Sequence, residues 1–315
     1  MSKHYLRASS LLFNQPLLVT PDMLDLGVRW ANQAMSLNII NIGASSAQLW
    51  KDDDPVDRLA LADEQRRSAI AQTGVEVVPV SGVLVSRGSH LNMCETMTSY
   101  ENLRVQLQRA VADPMVEHIV LDIDSPGGAA VGAFELAEDI RAMTLQKPIT
   151  GLVNFMAYSG GYLLGSACSE LVVSRTSGVG SIGVIASHMD RSKMEAEMGV
   201  KVTTVFAGAH KNDLSPHEPI TDQSLAFLNN LVQESYQMFT AAVAEYRDMP
   251  VAKVIATEAG LYRGQNAISA GLADRLQNPQ HAVDELSRAV AQSRAARQSS
   301  RISVRATALA MQSLT

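Results

Sequence analysis

From Val75 onward the chain alternates short apolar runs with stretches of helical period, and nothing else in it constrains the fold as strongly. Val75-Glu76-Val77-Val78-Pro79-Val80-Ser81-Gly82-Val83-Leu84 reads as β structure with a proline at an edge or bend. Residues 99 to 112 put Leu103, Leu107, Ala110 and Val111 on one helical face, and Asp113-Pro114 ends that helix. A strand follows over 118 to 123. A helix over about 129 to 145 carries Ala133, Leu136, Ala137 and Ile140 in one stripe. Then come a strand over 149 to 153, a helix over 159 to 168 and a strand over 170 to 174. β-like runs near 182 to 187, a helix over 190 to 198 and a strand over 201 to 206 complete the series. Strands that alternate with helices form parallel βαβ units with right-handed crossovers, so the fold class is α/β.

The flanks read differently. Residues 1–72 form an N-terminal helical arm or docking segment. Thr20-Pro21-Asp22 supplies an N-cap, an N1 proline and an acidic first turn for a helix to about Met35. Lys51-Asp52-Asp53-Asp54-Pro55 is a charged linker, and 56 to 72 holds one more short helix. No residue of this arm suggests chemistry. After Thr221 the chain turns mostly helical, with Leu225, Leu228, Leu231, Val232, Tyr236, Phe239 and Val243 at helical spacing. That stripe reads as core or subunit contact. A short helix near 250 to 257 and the turn Tyr262-Arg263-Gly264-Gln265 follow. The chain ends in a basic tail, 281–315, whose arginines 288, 294, 297, 301 and 305 have no acid among them after residue 288. It reads as a frayed helix or a disordered tail.

The chain has 315 residues, of which 46% are hydrophobic and 18% charged, the balance of a soluble globular protein. A net charge of −6 gives no electrostatic case for nucleic-acid binding. Two cysteines, Cys94 and Cys168, do not make a disulfide framework. No apolar run approaches the roughly 18 residues that span a bilayer. Asn14, Gln15 and Pro16 interrupt any signal-peptide core. A soluble, cytoplasmic protein is expected.

Three motifs carry chemistry. Ala157-Tyr158-Ser159-Gly160-Gly161-Tyr162 places a serine between an apolar run and a helix. Two glycines there leave room for a substrate backbone, and the helix start directs N–H groups at a developing oxyanion. Ser159 is also a plain N-cap candidate. Ser125-Pro126-Gly127-Gly128 follows a strand and precedes a helix, the layout of a backbone-donor nest. The amides of Gly127 or Gly128, with that of Gly160, could hold an oxyanion; the motif also suits a simple βα turn. It matches neither the Walker A spacing nor GxGxxG. Lys211, in Gly208-Ala209-His210-Lys211-Asn212, is by default a surface lysine. As a base for Ser159 it would need burial or a nearby cation to lower its pKa. His188 and His210 come with no obvious orienting acid, no histidine pairing suggests zinc, and no cofactor is implied. Asp122 and Asp124 share one strand face and read as structural hydrogen-bonding residues.

In order along the chain, Asp124-Ser125-Pro126-Gly127-Gly128, Tyr158-Ser159-Gly160-Gly161-Tyr162, Thr176-Ser177-Gly178-Val179-Gly180-Ser181-Ile182-Gly183-Val184 and Gly208-Ala209-His210-Lys211 resemble the S49 peptidases. That family includes signal peptide peptidase A (protease IV) and the lambda-type phage head maturation proteases. The resemblance covers about 75 to 277 and makes 73–280 the peptidase domain. It implies a serine endopeptidase with Ser159 as nucleophile, Lys211 as general base, and Gly127, Gly128 and Gly160 at the oxyanion hole. It implies a ClpP/crotonase-like fold of stacked ββα units with a C-terminal helical arm, assembled as a homo-oligomeric ring.

The phage branch is the nearer one. Phe13-Asn14-Gln15-Pro16-Leu17-Leu18, Leu84-Val85-Ser86-Arg87 and Tyr262-Arg263-Gly264-Gln265-Asn266-Ala267 are similar to it. The implied substrates are scaffold, portal and capsid proteins of a forming phage head. Phage proteins of this type often continue into a long scaffold region, whereas this chain stops at Thr315. The rivals are a bacterial peptidase that clears signal peptides, an acyl-CoA enzyme of the crotonase type, and a non-catalytic head-assembly protein.

Overall fold

The structure, a computed structural model, describes residues 15–20, 55–87 and 97–312. The helix expected from Thr20 to about Met35, and Cys94, lie outside the described residues. Nine strands among the described residues join one sheet. Its backbone is β3 (Met97–Ser99), β2 (Val75–Val85), β4 (His118–Ala129), β5 (Ile149–Tyr158), β6 (Glu170–Val173) and β9 (Arg275–Leu276), in that spatial order, every neighbouring pair parallel. This is the parallel α/β arrangement that the alternation predicts. Pro79 pairs with Asp122 of β4, and β3 reaches only residues 83–85 on the other side, so the missing N–H of Pro79 costs no described ladder bond.

The core lies on one face of the sheet. Ile119, Leu121 and Ile123 of β4 and Val78, Val80 and Leu84 of β2 alternate into it, the period of two that a strand imposes. Helices α2 (Tyr100–Ala112), α3 (Ala133–Thr144), α4 (Gly160–Ser166) and α6 (Asp222–Tyr246) cover that face. Ser99 caps α2 by accepting from the Asn102 N–H, and Leu103, Leu107 and Ala110 are buried as the spacing requires. Thr221 caps α6 in the same way through the Ser224 N–H. Of the expected stripe on α6, Leu228, Phe239 and Val243 are buried, whereas Leu225 stands exposed. The expected stripe is therefore core mainly along its C-terminal half.

The opposite face is covered by α9 (Pro279–Gln312), whose Ala282 and Val290 meet Val75, Val120, Leu152 and Val172. Arg294 of α9 donates to Glu117 at 2.6 Å and to the Met115 carbonyl at 2.8 Å. A basic stretch without acids of its own thus finds one in Glu117, just before β4. Helix α1 (Pro55–Thr73) precedes β2, with Ile70 in the core and Arg66 paired to Glu76.

Three local expectations are corrected. β4 does not stop at residue 123 but runs through Ser125-Pro126-Gly127-Gly128 to Ala129, and α3 begins only at Ala133. The composition is that of a turn, yet β2 stays paired alongside, Val83 with Gly127 and Leu84 with Gly128. Register shifts at Ser81/Val83 and Ile123/Ser125 accommodate the proline. β5 likewise runs on to Tyr158. Residues 201–206 form no strand; no described strand offers them an edge, and Val205 and Phe206 are 93% and 50% exposed.

Candidate active site

The site forms where β5 leaves β4. Their last paired residues are Ser125 and Ala157, and β5 ends one residue later at Tyr158. The chain then turns sharply at Ser159, with φ 51° and ψ −118°, and enters α4 at Gly160. This is a backbone state that residues with a Cβ rarely adopt, at a cost on the order of 1–3 kcal/mol that the surroundings must offset. Two backbone bonds hold it. Ser159 N–H donates to the Gly180 carbonyl at 2.8 Å, on β7 (Gly178–Gly180), and its own carbonyl accepts from Leu163 N–H at 2.9 Å.

Ser159 occupies the N-cap position of α4, but its hydroxyl makes no capping bond. Oγ instead faces the Gly183 carbonyl at 3.4 Å, a long and weak contact, and the residue is fully buried. Helix capping therefore does not explain this serine.

The three expected oxyanion glycines gather around it. A Cβ added to Gly127 would stand 2.9 Å from the Gly160 nitrogen, and one added to Gly160 would stand 3.5 Å from the Gly128 nitrogen. The glycines differ in what they can donate. Gly127 N–H already donates to Ser125 Oγ at 3.1 Å, and that hydroxyl donates onward to the Gly82 carbonyl at 2.7 Å. Gly127 has φ +104° and shapes the bend; Gly128 and Gly160 remain as the candidate donors. Gly161 does not face a substrate position. A Cβ there would press on Ser125 at 3.0–3.1 Å, so this glycine lets α4 pack against β4.

Lys211 is exposed, whereas Ser159 is buried. The lysine sits in a turn at the end of the exposed segment 200–211, and no hydrogen bond joins it to Ser159 among the described residues. Its neighbour corrects one expectation: His210 does have an orienting acid, since Nδ1 lies 2.7 Å from Asp213 Oδ2, three residues on in the same turn. Asp213 is held below the usual carboxylate range by that His210 contact and by Gln223.

Other titratable groups play supporting parts. Burial raises both Asp122 and Asp124; Asn154 partly counteracts this at Asp122, where Asp124 adds to it. Cys168 is fully buried, and burial pushes its thiol up to about 12, so it stays protonated and is no rival nucleophile. Tyr162 of α4 donates to the Leu272 carbonyl at 3.0 Å. Next to it, Asp274 accepts from the Leu171 N–H and from both Nη atoms of Arg247. These contacts tie α4 to α6 and β6. No group of three or more His, Cys, Asp or Glu is placed to hold a metal among the described residues, and none of the described helices is long and apolar enough to cross a membrane.

One component has only a faint trace in the sequence. β1 (Leu17–Val19) pairs antiparallel with the end of β4, next to the glycines. A three-residue apolar run behind a proline is too short to read as a strand, and it falls in the arm to which the sequence assigns no chemistry.

Residues 141–293 match the family model Peptidase family S49. The match spans Ser159, Gly160 and Lys211 and begins after Gly127 and Gly128. Capsid assembly protease C of Escherichia phage lambda is 36% identical over 287 residues, 87% of this chain and 64% of that protein. Head-tail preconnector protein GP5 of Enterobacteria phage P21 is 35% identical over 285 residues, 88% of this chain and 56% of that protein. The chain thus spans less than two thirds of the length of these relatives. A putative signal peptide peptidase SppA of Enterococcus faecium is 26% identical over 228 residues, 72% of this chain and 66% of that protein. Among solved structures, a ClpP1 mutant from Listeria monocytogenes superimposes loosely, with a TM-score of 0.42 and 11% identity over 70% of this chain and 99% of that one. The chain carries a peptidase family S49 domain.

Proposed function

We propose that this chain is a serine endopeptidase that acts in phage head assembly, with Ser159 as nucleophile and Lys211 as general base. The observation that carries the reading is the strained turn at Ser159. Its hydroxyl makes no capping bond, and Gly160, the next residue, lies close to Gly127 and Gly128, which supports Gly128 and Gly160 as oxyanion donors. In the reaction, neutral Lys211 takes the Ser159 proton as Oγ attacks a peptide carbonyl carbon. The two N–H groups hold the oxyanion, and the lysine returns the proton to the leaving amine. Water activated by the same lysine then releases the acyl group.

Lys211 reaches a serine through assembly in this reading. Segment 200–211 is exposed throughout and presents Val202, Val205 and Phe206 to solvent. A second copy covering that apolar surface would desolvate the amine, the setting in which a lysine can serve as a base. The assembly is a homo-oligomeric ring in the host cytoplasm. The proposed substrates are scaffold, portal and capsid proteins; the names of the two phage relatives, a capsid assembly protease and a head-tail preconnector protein, support a role in head assembly. Their identity and the share of this chain that they cover exceed those of the SppA relative, which favours a head protease over a signal-peptide peptidase.

The test is co-expression with head proteins, with product masses read by mass spectrometry. Wild type cleaves them and an acylating probe labels Ser159; Ser159→Ala and Lys211→Ala do neither and remain folded. Full cleavage by Ser159→Ala would refute the assignment, and coenzyme A binding without probe labelling would favour the acyl-CoA rival.

A further inference from the structure

Beyond Ser125 the β5-facing edge of β4 loses its neighbour, because β5 turns away into Ser159. β1 fills that place. Leu17 pairs with Ala129, Leu18 with Gly128 and Val19 with Gly127, all antiparallel. On its other side Leu17 exchanges both backbone bonds with Ile185, at 2.8 and 3.0 Å. Pro16 O accepts from Ala130 N–H at 3.4 Å. Backbone groups alternate along a strand, so the N–H and C=O of Leu18 turn toward Gly128. The Leu18 carbonyl oxygen stands 1.9 Å from where a Cβ on Gly127 would be, and 3.3 Å from where one on Gly160 would be. It therefore sits in the corner made by the three glycines. The Leu18 side chain is fully buried, with its own Cβ 3.4 Å from that position on Gly160.

We infer that the slot between residues 127–129 and Ile185 is the peptide-binding groove of the proposed peptidase, and that residues 16–19 are its resident competitor. The groove takes an extended segment as an added antiparallel strand and seats an apolar, leucine-sized side chain beside Gly160. The inference rests on the peptidase reading for its meaning but not for its test. Strand addition draws affinity from main-chain bonds, which any extended peptide can make, and selectivity from the side-chain seats. A tethered occupant competes at an effective concentration near millimolar, so a three-residue strand of modest intrinsic affinity suffices to keep the groove filled. A substrate must displace it, which restrains cleavage until substrate is locally concentrated.

The experiment uses full-length Ser159→Ala protein, so that no catalysis is required, and a fluorescent peptide with the sequence of residues 15–20. Adding Leu18→Asp places a charge in a fully buried seat and expels the resident strand. Peptide binding should tighten at least tenfold over the Ser159→Ala parent. The same peptide with aspartate at its second leucine should not bind. Leu18→Ala, which keeps the seat neutral, should show a smaller change in the same direction and decides the matter if Leu18→Asp does not fold. In the Ser159-intact enzyme, Leu18→Ala should lower KM for a leucine-containing peptide with kcat little changed. Equal peptide affinity in folded parent and variants, or binding indifferent to the leucine, overturns the inference. Tightened binding with no cleavage by any form would sink the peptidase reading and leave the groove standing.

Discussion

Two glycines of the site, Gly128 and Gly160, should respond to alanine in opposite ways. Neither has a positive φ, so backbone strain does not enter; only space does. At Gly128 an added Cβ would stand 1.9 Å from the Leu84 carbonyl oxygen and 2.5–2.6 Å from Leu84 C and N. All three are backbone atoms of the neighbouring strand and cannot swing aside. Reaching an ordinary 3.4 Å contact requires about 1.5 Å of strand separation. That breaks the Val83–Gly127 and Leu84–Gly128 ladder and shifts the fully buried Leu84. Two ladder bonds at about 1 kcal/mol each, plus overpacking of 1–3 kcal/mol, give a loss of about 3–5 kcal/mol. In a protein of this size the melting temperature should fall by roughly 5–8 °C. At Gly160 the nearest atoms to an added Cβ are 3.3–3.5 Å away, and alanine gains up to about 1 kcal/mol in helix propensity at the start of α4. Stability should be nearly unchanged. The methyl nevertheless lies against the place where Leu18, and by inference a substrate carbonyl, sits. Displacing a reacting group by about 1 Å costs on the order of 100-fold, so kcat/KM should fall steeply in a folded protein. Calorimetry on both variants, with peptidase assays on Gly160→Ala, checks the pair. If Gly128→Ala melts within about 2 °C of wild type, or Gly160→Ala is the less stable of the two, the steric reasoning is wrong.

His118 is buried at the start of β4 with Nε2 2.9 Å from Thr150 Oγ1, and burial pushes its pKa down to about 4. The folded value lies below the unfolded one near 6.5, so its stabilising share is complete above pH 6.5 and is lost as pH falls toward 4. By pH 4.5 that loss is about 2.5 kcal/mol. Urea unfolding at pH 7.5 and 4.5 should show a correspondingly smaller pH difference in His118→Asn, and an identical difference would rule out this histidine as the source. Separately, inactive Ser159→Ala and Lys211→Ala proteins should recover activity when refolded together, because the proposed assembly brings the exposed Lys211 of one copy to the buried Ser159 of another. With one serine and one lysine drawn from neighbouring copies at each interface, an equal mixture should reach roughly a quarter of wild-type activity. No recovery from a mixture proven to co-assemble would confine the dyad to one chain.

Periodicity made most of this fold legible because the physics it reports is local. Leu103, Leu107 and Ala110 share a helix face whatever surrounds them, and Val78 and Val80 share a strand face. The misreadings fall where a distant segment decides. Ser125-Pro126-Gly127-Gly128 is a turn by composition; it is a strand because Val83 and Leu84, about 43 residues earlier, pair with it. Val202 to Phe206 have strand composition, but no described edge to join. Ser159 carries no local sign of φ 51°, since that angle is imposed by the Gly180 carbonyl and by the entry into α4. A candidate nucleophile could therefore be named from its glycine neighbours, whereas the strain that aims it could not. The same cause explains why Leu17–Val19 escaped notice. Two strands that are paired to residues 125 and 157 and then diverge must leave an open edge, and an open edge recruits whatever extended chain can complete it. The groove, the turn at Ser159 and the strand that fills the slot are thus consequences of one event, the parting of β4 and β5.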